Sequence, residues 1–215
     1  MTLTLFFHPF ASYCQKVLLA LYENQTPFQG ELVDLSNEAS RTAFLKLWPI
    51  GKFPVLRDAA RERLIPESSI IIEYLAQYFP GSVELVPEDP DRARETRLKD
   101  RFFDCHVAEP MAKIVTDRLR PSGQHDPFGV EQAKAALLTA YGIIERDMAR
   151  RTWATGESFS MADCAAAPAL FYADLVLPLT EAYPLTKAYL SRLVARPSMA
   201  RVLEEAAPYF KLFPR

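Results

Sequence analysis

Trp48-Pro49-Ile50-Gly51-Lys52-Phe53-Pro54-Val55-Leu56 is followed, after a short charged turn, by Pro66-Glu67-Ser68-Ser69-Ile70-Ile71-Ile72-Glu73-Tyr74. In the first half, Pro54 lies at the mouth of an apolar strand. Because proline has no N–H, it is tolerated at a strand's first residue or edge but not inside a ladder. The main-chain groups of Phe53 are then free to pair with something other than the protein, and a peptide backbone would match them.

The second half of this stretch predicts a helix start. Glu67, Ser68 and Ser69 precede an apolar run, and a serine in that place is typical of a helix entry. The first amides of a helix carry partial positive charge and suit a carboxylate, whereas Glu67 would suit an ammonium group. Together they match the charged end of an α-amino acid, and ordinary capping is the alternative interpretation.

Composition limits the kind of protein. The chain has 215 residues, 49% of them hydrophobic, and a formal net charge of −2. It contains no long basic run, so no nucleic-acid partner is indicated. It has no basic leader and no stretch near the roughly 18–20 apolar residues of a membrane span, so we expect neither a signal peptide nor a membrane partner. The three widely spaced cysteines indicate neither a disulfide framework nor a metal site, and we expect a cytoplasmic location.

Residues 1–79 predict a small α/β unit. Apolar periodicity and turn residues indicate strands at 3–7, 28–33, 55–57 and 62–65, and helices at 12–23, 38–47 and 68–78. The order βαβ, α, ββα within about 80 residues favours a mixed four-stranded sheet covered by helices, which resembles the thioredoxin fold.

The rest of the chain predicts a linker and an all-α helical bundle domain. Residues 80–90 hold three prolines and are interpreted as the linker, and residues 91–215 show almost no strand signal. The first helix of this domain is expected over 91–119 with a kink at Pro110. Further helices are expected to begin at Asp126-Pro127, at the capping-box-like Ser160…Asp163, at Pro184 and at Pro197.

Over its whole length the chain resembles the cytosolic glutathione S-transferase superfamily, bacterial-type and zeta- or theta-like, with the class unassigned. Phe159-Ser160-Met161-Ala162-Asp163-Cys164 resembles the N-capping motif of that family's buried sixth helix, and Ala195-Arg196-Pro197-Ser198 resembles the start of its penultimate helix. The resemblance implies glutathione as co-substrate, no metal, and a transferase that activates the glutathione thiol for attack on a small hydrophobic electrophile, as in detoxification.

The resemblance also assigns the glutathione-binding residues. Phe53 would pair with the cysteinyl backbone beside a cis Pro54, and Glu67 and Ser68 would hold the γ-glutamyl end. Lys52 is the candidate for the glycyl carboxylate, with a solvated surface lysine as the alternative.

The group that stabilises the glutathione thiolate is open between neighbouring residues. Ser12, at the start of the first helix, is the leading candidate, with plain N-capping as its alternative. Tyr13 and Cys14 are the runners-up, although residues two apart on a helix point to opposite sides, so Ser12 and Cys14 cannot both face the ligand. An ungapped comparison with the C-x-x-C of glutaredoxins puts Ala11 at the leading cysteine position. This leaves the position of the donor open by one residue, and it argues against disulfide exchange because the leading nucleophile is absent.

The electrophile is expected to dock against the helical domain. Phe102, Phe103, His106 and Met111 are candidate pocket residues with the bundle core as their alternative, and His8 is a candidate with local hydrogen bonding as its alternative. The family resemblance implies a homodimer through the third and fourth helices. Two other functions stay open, a glutathione-dependent isomerase of the maleylacetoacetate type and a non-catalytic binding protein on the same fold.

Overall fold

The N-terminal part of the protein contains a mixed four-stranded sheet in the computed structural model, which describes residues 2–214. The strands lie in the order β2-β1-β3-β4, with β1 and β2 parallel and the other pairs antiparallel. Their bounds are Leu3–Phe7 for β1, Gln29–Leu32 for β2, Val55–Asp58 for β3 and Arg63–Pro66 for β4. The predicted mixed sheet is confirmed.

Three helices accompany the sheet, namely α1 (Ser12–Glu23), α2 (Glu38–Leu47) and α3 (Ser68–Tyr78). Residues 14–21 of α1 are all buried, as expected for a helix with apolar side chains on most of its faces. Of α2 only Phe44 is buried, so that helix lies on the outside of the molecule. α1 is therefore buried between the sheet and the helices of the C-terminal part.

The C-terminal part is all-helical, as predicted. It comprises α4 (Pro90–Phe103), a π-helical turn (Asp104–Ala108), α5 (Glu109–Arg118), α6 (Pro127–Met148), α7 (Met161–Val176), α8 (Pro184–Val194), α9 (Pro197–Ala206) and a 3₁₀ segment (Ala207–Leu212). The alanine-rich α7 is the most deeply buried of these and contacts both α1 and α4. Residues 80–90 stay the proposed linker.

The break in the predicted helix 91–119 lies before Pro110 and not at it. Pro110 lacks an N–H, so the carbonyl of His106 has no donor four residues ahead. The helix adapts over residues 104–108, where Glu109 N–H donates to Asp104 O in the i→i−5 pattern of a π-helix. The expected kink is thus a widened turn immediately N-terminal to the proline.

Two properties of residues 2–214 bear on the kind of site to expect. No helix in this range is long and apolar enough to cross a membrane. No three histidine, cysteine, aspartate or glutamate side chains come together there in a way that would hold a metal ion.

Candidate functional site

Strand register gathers the predicted site segments at one end of the sheet. Phe6 lies opposite Val55, and Val55 lies opposite Pro66. The segments next to these residues therefore emerge side by side, namely 8–12 after β1, 53–54 before β3 and 67–68 after β4. Residues far apart in the sequence thus form one surface.

Phe53 presents its main chain at this surface. The Phe53–Pro54 peptide bond is cis, as the family resemblance implied. Strand pairing begins only at Val55, and within residues 2–214 the amide and carbonyl of Phe53 have no hydrogen-bond partner. The Phe53 ring is held against Phe44, with ring centroids 6.3 Å apart. An anchored residue with an unpaired main chain is suited to an extended peptide ligand.

A tight turn sets the position of Phe53. Gly51 N donates to Trp48 O at 2.9 Å, and Gly51 has a φ of +71°. A side chain there would be strained, and its Cβ would lie 3.0 Å from Leu45 Cδ2, so glycine is required. The turn leaves Lys52 exposed beside Phe53.

Glu67 and Ser68 form the start of α3. Glu67 is exposed and has a φ of +69°, a costly conformation for a non-glycine residue and one that recurs at ligand sites. Ser68 is 7% exposed, and the first intrahelical bond runs from Ile71 N to Glu67 O at 2.8 Å. The earlier amides of the helix are free for an anion. The Glu67 carboxylate can pair with an ammonium group, and the free amides of α3 beside it can pair with a carboxylate. Together they suit a ligand that carries both groups on one carbon.

Ser12 is the first residue of α1, and Ala11 is its N-cap. The alternative interpretation of Ser12 as a plain N-cap is therefore wrong. Its half-buried hydroxyl has no hydrogen-bond partner in the part of the chain that the structure describes. The amides of Cys14 and Gln15 both donate to Ala11 O at 2.9 Å, which leaves the Ser12 hydroxyl at the positive end of the helix.

Cys14 and Tyr13 differ from Ser12 in their surroundings. Cys14 is fully buried and accepts a hydrogen bond from His8 N at 3.5 Å, and burial raises the pKa of its thiol far above the usual range. Cys14 is thus a protonated core residue. Burial, with Asp104 adding to it, also raises the pKa of Tyr13. The phenol is neutral at pH 7 and keeps its hydrogen-bond donor on the side of the π-helical turn.

His8 follows the alternative given for it, local hydrogen bonding. Its Nδ1 accepts from Phe10 N at 3.2 Å, and its ring lies edge-on to Tyr209 with centroids 4.7 Å apart. Burial lowers the pKa of the imidazole, so the ring is neutral at pH 7. It still borders the site, because its centroid is 6.2 Å from that of Phe53.

The loop before Ser12 is held by residues that the sequence analysis did not single out. Gln15 Nε2 donates to Pro9 O at 2.8 Å and to Tyr172 Oη at 2.9 Å, and Tyr172 Oη donates to Phe10 O at 3.0 Å. The rings of Phe210 and Phe213 also pack on Phe10. A polar Gln15 inside an apolar helix was the available signal.

The expected electrophile pocket needs correction. Phe103 and Met111 are only 2% and 5% exposed and belong to the bundle core, so they are wrong as residues of an open pocket. Phe102 lies 5.5 Å from His106, and its ring is 5.4 Å from the Lys99 ammonium, which pairs with Asp147 of α6. Phe102 and His106 thus lie close to Lys99, which links α4 to α6, and their part in an electrophile pocket stays a prediction.

The side of α4 that does face α1 carries charges. Lys16 Nζ lies 2.7 Å from Asp100 Oδ1, 2.8 Å from Asp104 Oδ2 and 2.9 Å from Ser69 Oγ. Ser69 Oγ in turn donates to Asp100 Oδ2 at 2.6 Å. Sequence reasoning missed this group, which we call the Lys16 cluster (Lys16, Ser69, Asp100, Asp104). The available signal was a lysine in an apolar helix four residues after Ser12.

Two family models match the chain in the order of its two parts. The glutathione S-transferase N-terminal domain matches residues 5–83, and the glutathione S-transferase C-terminal domain matches residues 127–192. Together they cover more than half of the sequence.

Individual proteins are similar over most of the chain. Glutathione S-transferase DHAR3, chloroplastic, of Arabidopsis thaliana is 28% identical over 199 residues, which are 90% of this chain and 69% of that protein. Glutathione S-transferase hmp2 of Hypomyces subiculosus is 26% identical over 204 residues, covering 89% and 93% of the two chains. A glutathione S-transferase from Methylobacillus flagellatus with glutathione bound superposes with a TM-score of 0.83 at 25% identity, covering 93% of this chain and 98% of that one. This chain belongs to the cytosolic glutathione S-transferase superfamily.

Proposed function

We propose that the protein is a glutathione S-transferase that binds glutathione at the edge of the sheet where β1 and β4 end and β3 begins. The Phe53 main chain takes the cysteinyl backbone, Glu67 and Ser68 take the γ-glutamyl end, and Lys52 takes the glycyl carboxylate. The observation that carries this proposal is the unpaired main chain of Phe53 beside the free start of α3. The register of the sheet supports the proposal, since it places the segments after β1, before β3 and after β4 side by side.

Ser12 is the proposed donor to the thiolate. A free thiol titrates near 8.5, and lowering its pKa by about two units requires roughly 2.7 kcal/mol of preferential thiolate stabilisation. One hydroxyl donor and the N-terminus of α1 can supply much of this. Ser12 suits the role because its hydroxyl is not engaged elsewhere in residues 2–214 and lies at the first turn of α1. The thiolate then attacks a small hydrophobic electrophile that docks between α1 and the helical domain.

We also propose a cytoplasmic homodimer. Ile70 on α3 and Leu98 on α4 are 54% and 64% exposed, and an interface through these helices would remove both from water. Glu73 and Arg97 form a bidentate ion pair across the same two helices, which fixes this surface. A monomeric mass at micromolar concentration in light scattering would contradict the dimer.

Glutathione titration by calorimetry tests the binding site. Glu67→Ala should weaken binding by about tenfold to a hundredfold, because a charged hydrogen bond contributes about 1.5–3 kcal/mol. Glu62→Ala is the matched control, since Glu62 is also an exposed acidic residue with positive φ, at +52°. Equal affinities for both variants and the unsubstituted protein would show that the site is misplaced.

Steady-state kinetics with a halonitrobenzene distinguish the thiolate donors. Ser12→Ala should lower kcat/KM by about a hundredfold, the usual cost of removing one donor to a reacting anion. Tyr13→Phe removes only the neighbouring hydroxyl and should have a much smaller effect. The reverse order would assign the role to Tyr13.

A further inference from the structure

The Lys16 cluster is unusual for the helix that carries it. Residues 14–21 of α1 are all buried, and all except Gln15 and Lys16 are apolar. The Lys16 and Asp100 side chains are each 1% exposed, and the Asp104 side chain is 6% exposed. A buried ion group of this kind is often no more stable than apolar residues of similar volume. Its presence therefore indicates a requirement for geometry more than for stability.

The cluster reaches both halves of the candidate glutathione site. Lys16 is four residues after Ser12 and so lies one turn further along the same face of α1. Ser69 directly follows Ser68 at the start of α3. The Lys16–Ser69 hydrogen bond of 2.9 Å therefore joins the turn behind the proposed thiolate donor to the turn that would hold the γ-glutamyl end.

The helical domain fixes this joint. Asp100 of α4 accepts from Ser69 Oγ at 2.6 Å and lies 2.7 Å from Lys16 Nζ, while Asp104 contacts Lys16 at 2.8 Å. Arg101 Nη1 lies 3.2 Å from Asp104 Oδ2 and offsets part of the second negative charge. The two carboxylates thus come from the helical domain, whereas Lys16 comes from α1 and Ser69, which accepts from Lys16 and donates to Asp100, comes from α3.

We propose that Lys16, Ser69, Asp100 and Asp104 are positioning residues for glutathione, through which the helical domain holds the starts of α1 and α3 at the separation that the tripeptide needs. This inference rests on the proposed function and deepens it. The four residues do not touch the ligand. They act by keeping Ser12 on one side and Glu67-Ser68 on the other in a preorganised arrangement.

The test is Ser69→Ala against Ser198→Ala. Ser69 and Ser198 are each the second residue of a helix, and each hydroxyl hydrogen-bonds into an ion group between α1 and the helical domain, Ser198 to Glu23. Ser69→Ala should raise the glutathione Kd and KM by about tenfold, with kcat at saturating glutathione changed by less than about threefold. Ser198→Ala should leave the glutathione Kd within about twofold of the unsubstituted value, even if it lowers the melting temperature as much as Ser69→Ala does. Ser69→Thr keeps the hydroxyl and should restore tight binding.

The outcomes separate this inference from the proposed function. If the unsubstituted protein binds no glutathione, the proposed function fails and the positioning role fails with it. If it binds glutathione and Ser69→Ala binds equally well, the function stands and the positioning role is overturned. A Kd raised equally by Ser69→Ala and Ser198→Ala would also overturn it, since both losses would then reflect domain docking alone.

Discussion

Ion pairs connect both ends of α1 to the helical domain, but the two groups differ in how much their side chains are exposed. Near the N-terminal end of α1, the Lys16 and Asp100 side chains are each 1% exposed. At the second end, Glu23 pairs with Arg196 at 2.5 Å, and the Arg196 side chain is 25% exposed. Arg196 also lies over the ring of Phe159 at 4.1 Å. We call this second group the Glu23 cluster (Glu23, Arg196, Ser198).

The two clusters differ in how far their cations are removed from water. Arg196 is partly exposed, so its hydration is only partly lost, although its partner Glu23 is itself only 7% exposed. Lys16 has no access to water, so its charge depends entirely on Asp100, Asp104 and Ser69. The strongly desolvated group is the one beside the candidate site, and the partly hydrated group is the one remote from it.

The largest expected effect is that of Lys16→Met on stability. Removing the lysine leaves Asp100 and Asp104 buried without their cation, and breaking a buried pair in this way costs about 3–5 kcal/mol. Urea unfolding followed by circular dichroism would measure the loss. Arg196→Met is the matched substitution in the Glu23 cluster and should cost less, about 1–3 kcal/mol, because water can reach the site. Equal losses would remove the distinction between the two ends.

A smaller effect concerns pH. Burial, more than the neighbouring charges, raises the pKa of Asp104 above its ordinary value. A raised carboxyl pKa means that the folded state binds the proton more tightly than the unfolded state does. Protonation of Asp104 therefore stabilises the fold fully when the pH is below the pKa of the unfolded chain, and this stabilisation is lost as the pH rises through the pKa of the folded protein. The stability of the unsubstituted protein relative to Asp104→Asn should therefore increase as the pH falls from 7 toward 4. A flat difference across that range would contradict the assigned burial effect.

Local signals in the sequence predicted several elements with their bounds. The helix 38–47 is found where it was expected, with Asn37 accepting from Ser40 N at 3.0 Å as its cap. The expected capping box is also present, since Asp163 Oδ2 accepts from Ser160 N at 2.9 Å. Both depend on residues three apart, which is why a single sequence reveals them.

The features that could not be predicted depend on which elements meet. Periodicity predicts that one face of a helix is apolar, but it does not say that Phe103 and Met111 turn into the bundle. Asp100 and Asp104 stand in a charged helix and look like surface residues until α1 is placed against them. Lys16 stands in an apolar helix, and its partners Ser69 and Asp104 lie 53 and 88 positions along the chain, so no local pattern points to them.

Aromatic side chains of the 209–213 segment complete the candidate glutathione cleft, so the cleft can form only after this segment has packed. Phe10, two positions ahead of Ser12, is covered by Phe210 and Phe213, and His8 is covered by Tyr209. The loop after β1 is thus closed by residues of the 209–213 segment, which lie far along the chain. A chain made from its N-terminal side can form its sheet early, yet its cleft is unfinished until the 209–213 segment has been made and has packed on Phe10 and His8.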